Sequence, residues 1–110
     1  MGIAKKKPKS TYKVYNIIHG GKVVYVGRTT DLRVRERRHN LDYRKGISKE
    51  LYNFLRDEGV ETIKLNLIAE YKEKVQSKRF EMYLMLINYF ENDMKLTLKQ
   101  RIPNISDLAR

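Results

Sequence analysis

The sequence predicts a small single-domain α/β sandwich in which a three-stranded antiparallel sheet is flanked by helices. A length of 110 residues suits one domain. Two neighbouring segments are rich in β-forming residues, a later segment alternates apolar and polar residues, and the other segments follow helical spacing. The predicted element order is β-β-α-α-β-α. Residues 1–10 are expected to form a flexible Lys-rich arm, and residues 11–110 the folded domain.

A β-hairpin is predicted at the start of the folded domain. Residues 12–18 and 22–27 are both rich in residues that favour strands. His19, Gly20 and Gly21 lie between them, and glycine readily adopts the positive φ angles of a tight hairpin turn. The two strands are therefore expected to pair directly.

Two helices are predicted after the hairpin. The first spans residues 31–43, with an N-cap among residues 29–31, which are Thr, Thr and Asp. The second spans residues 49–58, with Ser48 as its cap and Gly59 at its end. Its apolar stripe consists of Leu51, Phe54 and Leu55.

A third strand and a long helix complete the prediction. Within residues 60–71 the apolar residues alternate, as in a strand with one buried face. Residues 73–92 are the longest helical segment and the most apolar, so we expect this helix to form the hydrophobic spine of the fold. A short helix is possible before Ile102. The alternating residues are Ile63, Leu65, Leu67 and Ala69.

Composition excludes several classes of protein. The absence of cysteine excludes disulfide frameworks, thiolate metal sites and cysteine nucleophiles, and two histidines are a poor basis for structural zinc. No stretch approaches the ~18 apolar residues of a spanning helix, and residues 1–10 lack the apolar core of a signal peptide. We therefore expect a soluble, cytoplasmic protein with no membrane partner.

The net charge of +11, from 24 Lys and Arg against 13 Asp and Glu, favours a polyanionic partner. The Lys-rich arm serves either solubility or general attraction to DNA, and the sequence does not separate the two. A second concentration of charge lies within residues 28–45, where arginine forks suit phosphate oxygens. Clustered guanidiniums repel one another without an anion, so we expect phosphate contacts there. The arginines are Arg28, Arg33, Arg35, Arg37, Arg38 and Arg44.

Glu81 is the only charged residue from Phe80 to Phe90. A carboxylate that loses its hydration in such an apolar segment costs several kcal/mol without a partner. Glu81 is therefore expected to meet a cation, a metal ion or solvent in a cleft. The ordinary alternative is a solvent-facing position on an amphipathic helix.

Arg35 and His39 are spaced i, i+4 and therefore share a face of the first helix. We expect the neighbouring arginines to lower the pKa of His39, leaving a neutral imidazole that can accept or orient a proton. Arg38 adjoins His39, and Asp31 or Asp42 can pair with an arginine in the same helix. His19, in the turn, is interpreted as a surface histidine.

Tyr15 and Tyr25 lie on the two hairpin strands, where core packing is the ordinary interpretation of a tyrosine. Gly27 ends the second strand just before the arginine-rich helix. Glycine at such a position allows a substrate backbone to approach the sheet edge closely.

These residues resemble the GIY-YIG nucleases. The two signature triplets of that family lie on neighbouring strands, and here they read Lys13-Val14-Tyr15 and Tyr25-Val26-Gly27, with Lys13 in place of a glycine. The resemblance covers residues 11–107, and residues 46–71 also resemble the catalytic domain of phage homing endonucleases in this family. The matching family positions are Arg35 and His39 on the first helix, Glu81 on a later helix and Asn104 near the end.

The resemblance implies a metal-dependent DNA endonuclease. Glu81 would hold one Mg²⁺ or Mn²⁺ ion, and Tyr15, or His39 acting through it, would take the proton of the attacking water. Arg35 would stabilise the charge on the phosphate. Tyr25 would position water or phosphate, and Gly27 would leave room for the substrate. The residues expected to contact the substrate are Gly27, Arg28, Arg33, Arg38 and Asn104.

Two questions stay open at the level of sequence. Phage homing enzymes append a linker and a sequence-reading domain, which these 110 residues lack, so we expect a stand-alone nuclease that uses a separate targeting partner or a transient dimer. Its role is either homing or phage or bacterial DNA processing. The main alternative function is a non-catalytic, basic nucleic-acid-binding protein, which would not need an acid–base constellation.

Overall fold

The computed structural model describes residues 10–91, which form three strands and three helices. The predicted α/β class and the order β-β-α-α-β-α are confirmed. Residues 1–9 of the arm, the short helix before Ile102 and Asn104 lie outside the described residues. The elements are β1 (Tyr12–His19), β2 (Lys22–Thr29), α1 (Leu32–Arg44), α2 (Glu50–Asp57), β3 (Asn66–Tyr71) and α3 (Lys74–Glu91).

The sheet has the order β2-β1-β3, and both pairings are antiparallel. Gly20 and Gly21 form the predicted hairpin turn with φ angles of 61° and 76°, a region that favours glycine. Because β1 is the central strand, both of its edges are hydrogen-bonded to neighbouring strands. In the register of the hairpin, Tyr15 lies opposite Gly27, and Val14 opposite Arg28. Successive strand residues point to opposite faces, so Tyr15 and Arg28 belong to different faces of the sheet.

The main core lies between one face of the sheet and helices α1 and α2. Asp31 is the N-cap of α1, and its carboxylate accepts a hydrogen bond of 3.1 Å from the Val34 amide, as its position in the sequence predicts. Leu51 and Leu55 of the predicted α2 stripe are buried, while Phe54 packs at the edge. The core consists of Tyr15, Ile17, Val24, Tyr43, Leu51, Tyr52, Leu55, Ile63 and Leu65.

The prediction that α3 forms the hydrophobic spine is wrong for the described residues, because the main core contains none of its side chains. The α3 helix packs on the opposite face of the sheet, where Leu84 and Ile87 lie near Val26. Its apolar residues surround the helix instead of forming one stripe, so Val75 and Tyr83 are more than half exposed. Within residues 10–91, no helix is long and apolar enough to cross a membrane.

Two local predictions are also corrected. Ser48 does not cap α2: the N-cap is Lys49, which makes no capping side-chain bond, and the Ser48 hydroxyl accepts a hydrogen bond from Asn53. The third strand begins at Asn66 and not near Val60. The segment before it instead bonds to α1, with the Ile63 backbone held at 2.8 and 2.9 Å by the Asn40 amide.

Candidate active site

A buried chain of hydrogen bonds joins three elements on the α1/α2 face of the sheet. The Tyr15 hydroxyl, from β1, lies 3.0 Å from Nε2 of His39 on α1. The other ring nitrogen of His39, Nδ1, lies 2.8 Å from the hydroxyl of Tyr52 on α2. All three residues are less than a tenth exposed. A strand, a helix and the next helix therefore each supply one member of a continuous polar chain inside the core.

Tyr25, from β2, completes an aromatic cluster around His39. Its ring centroid lies 6.0 Å from that of His39 and 6.3 Å from that of Tyr15. The His39 contact is edge-to-face, a geometry that aromatic pairs favour. The rings hold His39 in one orientation, and the predicted grouping of Tyr15, Tyr25 and His39 agrees with their positions in the structure.

Gly27 makes room for a side chain of the protein itself. The Tyr15 ring crosses its strand partner so closely that a Cβ atom at residue 27 would overlap Cζ and Oη of Tyr15 and lie 2.9 Å from its Cε2. The lack of a side chain at Gly27 thus allows the Tyr15 phenol to reach His39. The prediction that Gly27 admits a substrate remains untested.

Burial controls the acid–base properties of the chain. It lowers the pKa of His39 to about 4, with the positive charge of Arg35 as the second cause. The pKa shift expected for His39 is therefore present, but desolvation contributes more than the arginines do. Burial likewise raises the pKa of Tyr15 far above its usual value, while Arg35 opposes that rise. At neutral pH the hydrogen-bonded chain of Tyr15, His39 and Tyr52 therefore consists of a neutral imidazole between two neutral phenols.

Arg35 lies at the mouth of this chain. Its side chain is exposed, one turn before His39 on the same side of α1. Its positive charge lowers the pKa values of Tyr15, Tyr25 and His39. Arg35 is thus an exposed cation whose charge acts on the buried Tyr15–His39 pair.

Glu81 reaches the same region from the opposite layer. Its carboxylate lies 3.4 Å from Nε of Arg28, at the end of β2. Burial raises the pKa of Glu81, and Arg28 opposes that rise. The Glu81 charge in turn raises the pKa values of Tyr15 and Tyr25. Glu81 and Arg35 therefore have opposite electrostatic effects on the same two phenols.

Two of the predicted substrate contacts lie elsewhere. At about 100° per helical residue, Arg33 lies about 160° around the axis of α1 from Arg35. It lines an open groove of about 620 Å³ together with Arg37, Arg38 and Arg44. Arg38 pairs with Asp42 at 3.4 Å, which is one of the two intrahelical pairs anticipated from the sequence. The DNA contacts predicted for Arg33 and Arg38 would therefore lie outside the tyrosine cluster.

Glu81, which is paired with Arg28 in the structure, is the residue of this region whose carboxylate could hold a divalent cation. Among residues 10–91, no three His, Asp or Glu side chains converge on one metal position. Mg²⁺ does not require such a group, because it usually keeps several waters and binds one or two carboxylates together with substrate phosphates. A partly desolvated carboxylate fits that donor set.

Tyr52 is the site residue that sequence reasoning missed. It follows Leu51 and precedes Leu55 by three residues, so its burial was predictable from helical spacing. A buried tyrosine hydroxyl usually has a partner, which is the signal the sequence offered. The identity of that partner, 13 residues earlier in the chain, depends on how α1 and α2 pack.

Comparison with known proteins identifies one family. The family model described as the GIY-YIG catalytic domain matches residues 8–100. No curated protein and no solved structure matches the chain.

Proposed function

Because the chain belongs to the GIY-YIG family, whose members are nucleases, we propose that it is a DNA endonuclease that hydrolyses phosphodiester bonds with one Mg²⁺ or Mn²⁺ ion. The observation that carries the proposal is the hydrogen bond between Tyr15 and His39 beside the exposed Arg35. A protein that only binds phosphates has no need of a neutral imidazole bonded to a phenol near a cation. Glu81 would supply the carboxylate that holds the metal ion.

Proton removal from the attacking water is assigned to Tyr15. Its pKa is raised by burial, so the phenol does not ionise without help. His39, which is neutral, lies 3.0 Å away and can accept the proton through Nε2. This transfer is concerted with the step in which the Tyr15 oxygen takes a proton from the water that attacks phosphorus, because an imidazole with a pKa of about 4 does not deprotonate this phenol in a separate step. Arg35, by favouring the anionic form of Tyr15, supports the same step.

Stabilisation of the phosphate is assigned to Arg35, and orientation of the reacting groups to Tyr25. The accessible guanidinium can bind phosphate oxygens through its forked donors and offset the charge that grows during attack. Glu81 would hold the metal ion, which would polarise the phosphate and lower the pKa of a bound water. The oxygen that leaves phosphorus takes its proton from solvent.

Cleavage of supercoiled plasmid tests this proposal. With Mg²⁺ the wild-type protein should cut the plasmid, and EDTA should stop it. Glu81→Ala should bind DNA normally and reduce cleavage by more than about 10³-fold, which corresponds to ~4 kcal/mol of transition-state stabilisation. Glu61→Ala, which removes an exposed carboxylate from a loop, is the control and should cut normally. Metal-dependent cleavage by purified Glu81→Ala would overturn the role of Glu81.

The same assay addresses how DNA is cut. One active site breaks one phosphodiester at a time, so double-strand cleavage requires a dimer or two successive nicks. Nicked plasmid as the only product would favour a monomer, whereas linear plasmid that increases with protein concentration would favour a transient dimer. The proposed biological setting is homing or phage or bacterial DNA processing.

The alternative, a non-catalytic nucleic-acid binder, is favoured by the arginine-lined groove on α1. Such a protein would retard DNA on a gel, but it would leave plasmid intact with Mg²⁺ and with Mn²⁺. Binding without cleavage by the wild-type protein would select this alternative.

A further inference from the structure

Tyr52 is buried at the junction of α1 and α2, where it contacts His39 in two ways. Its hydroxyl lies 2.8 Å from Nδ1, and its ring meets the imidazole edge-to-face at 5.9 Å between centroids. Only 1% of the residue is exposed. Tyr43 packs against the other side of the Tyr52 ring. Tyr52 is therefore held rigidly, and its hydroxyl faces the imidazole.

His39 has a tyrosine hydroxyl at each ring nitrogen, and this restricts the placement of its proton. A neutral imidazole has one N–H donor and one acceptor nitrogen. Either Nδ1–H donates to Tyr52 and Nε2 accepts from Tyr15, or both hydrogen bonds are reversed. Only the first arrangement leaves Nε2 ready to receive the Tyr15 proton. The reversed arrangement blocks that transfer because Nε2 already carries a proton.

The charges at the two ends of the chain favour the first arrangement. Burial raises the pKa of Tyr52, and the negative charge of Asp42 is the next largest cause of that rise. The negative charge of Asp42 favours the orientation in which the Tyr52 hydroxyl hydrogen points towards Asp42 and the Tyr52 oxygen accepts from His39. Arg35, at the opposite end, favours loss of the proton from Tyr15. Arg35 and Arg38 lower the pKa of Tyr52 and so oppose Asp42, and Lys49 lies over the Tyr52 ring at 5.6 Å.

We propose that Tyr52 is a positioning residue that accepts a hydrogen bond from Nδ1–H of His39 and so keeps Nε2 free to take the proton of Tyr15. The consequence for the reaction rests on the proposed function. During the reaction the O–H bond of Tyr15 breaks and an N–H bond forms at Nε2. At the same time the Tyr15 oxygen takes a proton from the attacking water, so that no free phenolate forms, and the imidazolium later passes its extra proton to solvent by way of the Tyr15 hydroxyl. Tyr52 loses no proton and touches no substrate.

The tautomer of His39 can be measured in the free protein without DNA or metal. ¹⁵N NMR of the full chain at neutral pH should show Nδ1 protonated and Nε2 unprotonated in the wild type. Tyr52→Phe keeps the ring and removes the hydroxyl, so the Nε2–H form should increase. Tyr43→Phe is the matched control, because it removes another buried hydroxyl, bonded to the Val60 carbonyl, and should leave the tautomer unchanged. A wild-type protein with the proton on Nε2, or no change in Tyr52→Phe, would overturn the proposal.

Cleavage kinetics test whether Tyr52 affects the rate of the reaction. In single-turnover cleavage, Tyr52→Phe should be about tenfold slower, the effect of losing one buried hydrogen bond, with unchanged affinity for DNA. Tyr52→Phe should add no further loss in a His39→Phe background, because the residue acts only through His39. An equal, additive loss in that background would overturn the proposal.

If the wild type cuts no DNA, the proposed function fails, and the tautomer measurement still decides the role of Tyr52 towards His39. If Tyr52→Phe does not fold, the tautomer of His39 in the wild type by itself decides whether Nδ1 carries the proton.

Discussion

On the α1/α2 face of the sheet the hydrogen-bonded Tyr15–His39–Tyr52 chain is buried and neutral, whereas on the α3 face the site has a partly exposed ion pair. The first face holds His39 between two tyrosine hydroxyls, in the main core. The second holds the Glu81–Arg28 pair, with 18% and 23% of the side chains exposed. The difference teaches that proton transfer and charge binding have opposite requirements. A proton-transfer chain needs fixed partners without water, and a site for cations or phosphates needs access from solvent.

The first prediction tests whether the effect of Arg35 on cleavage depends on its position or only on its positive charge. Arg35→Ala should lower cleavage by about 10³-fold, or ~4 kcal/mol, because a donor to the developing phosphate charge is lost. Arg37→Ala on the far side of α1 removes the same charge from the same helix, and it should cost less than about threefold. Similar losses in the two variants would show that net charge matters more than placement. Cleavage rates at saturating DNA provide the measurement.

The second prediction concerns the buried His39 and the pH dependence of the free energy of unfolding. His39 has a pKa of about 4 when folded and 6.5 when unfolded. The unfolded chain therefore binds more protons between these values, and the folded state loses stability as pH falls from 6.5 to 4. The loss attributable to His39 is about 3 kcal/mol by proton linkage. Urea unfolding at several pH values should show it, and His39→Gln should lack that part of the slope. A wild-type His39 that titrates near pH 6.5 by NMR would contradict the prediction.

The third prediction tests the contact between Gly27 and Tyr15. Gly27→Ala should destabilise the fold by about 2 kcal/mol, because the new methyl group overlaps the buried phenol. Cleavage should fall as well, since Tyr15 would move away from His39. In a Tyr15→Ala background the same substitution should cost little stability, because the overlapping ring is gone. Thermal unfolding of the four proteins measures this coupling, and equal costs in both backgrounds would argue against it.

The smallest expected effect compares two ion pairs. Arg28→Ala leaves Glu81 unpaired at a half-buried position and should cost about 1 kcal/mol of stability. Arg38→Ala breaks the pair with Asp42, whose arginine is 67% exposed, and should cost less than about 0.5 kcal/mol. Denaturant midpoints of the two variants show which substitution costs more stability. The reverse order would show that the α3 face is as solvated as the surface of α1.

The sequence predicted well wherever a feature depends on near neighbours. The hairpin turn at Gly20 and Gly21 follows from the φ angles that glycine permits, and the start of α1 follows from Asp31 as a cap. The i, i+4 spacing placed Arg35 and His39 on one face. The candidate residues Tyr15, Tyr25 and His39 were chosen partly by resemblance, and their rings do lie together.

Predictions failed where a feature depends on distant contacts. The α3 helix is the most apolar segment, but the main core lies on the other side of the sheet, because α1 and α2 together cover that face. Ser48 has the chemistry of a cap, but its hydroxyl bonds to Asn53. Ile63 and Leu65 alternate as in a strand, but Asn40 and Glu36 bind the backbone there before β3 begins. Asn40 and Glu36 lie more than 20 residues before the backbone groups that they bind, whereas Asn53 is only five residues from Ser48.

By itself, the sequence determined the order of the elements, the hairpin turn, the first helix cap and the excess of positive charge, since each depends on residue type and short-range geometry. Only the tertiary structure decided that Tyr52 meets His39, that Tyr15 occupies the space above Gly27, and that Arg28 pairs with Glu81, 53 positions away. Packing of helices against a twisted sheet sets these contacts. Their geometry is a property of the assembled layers, which no single segment of the chain contains.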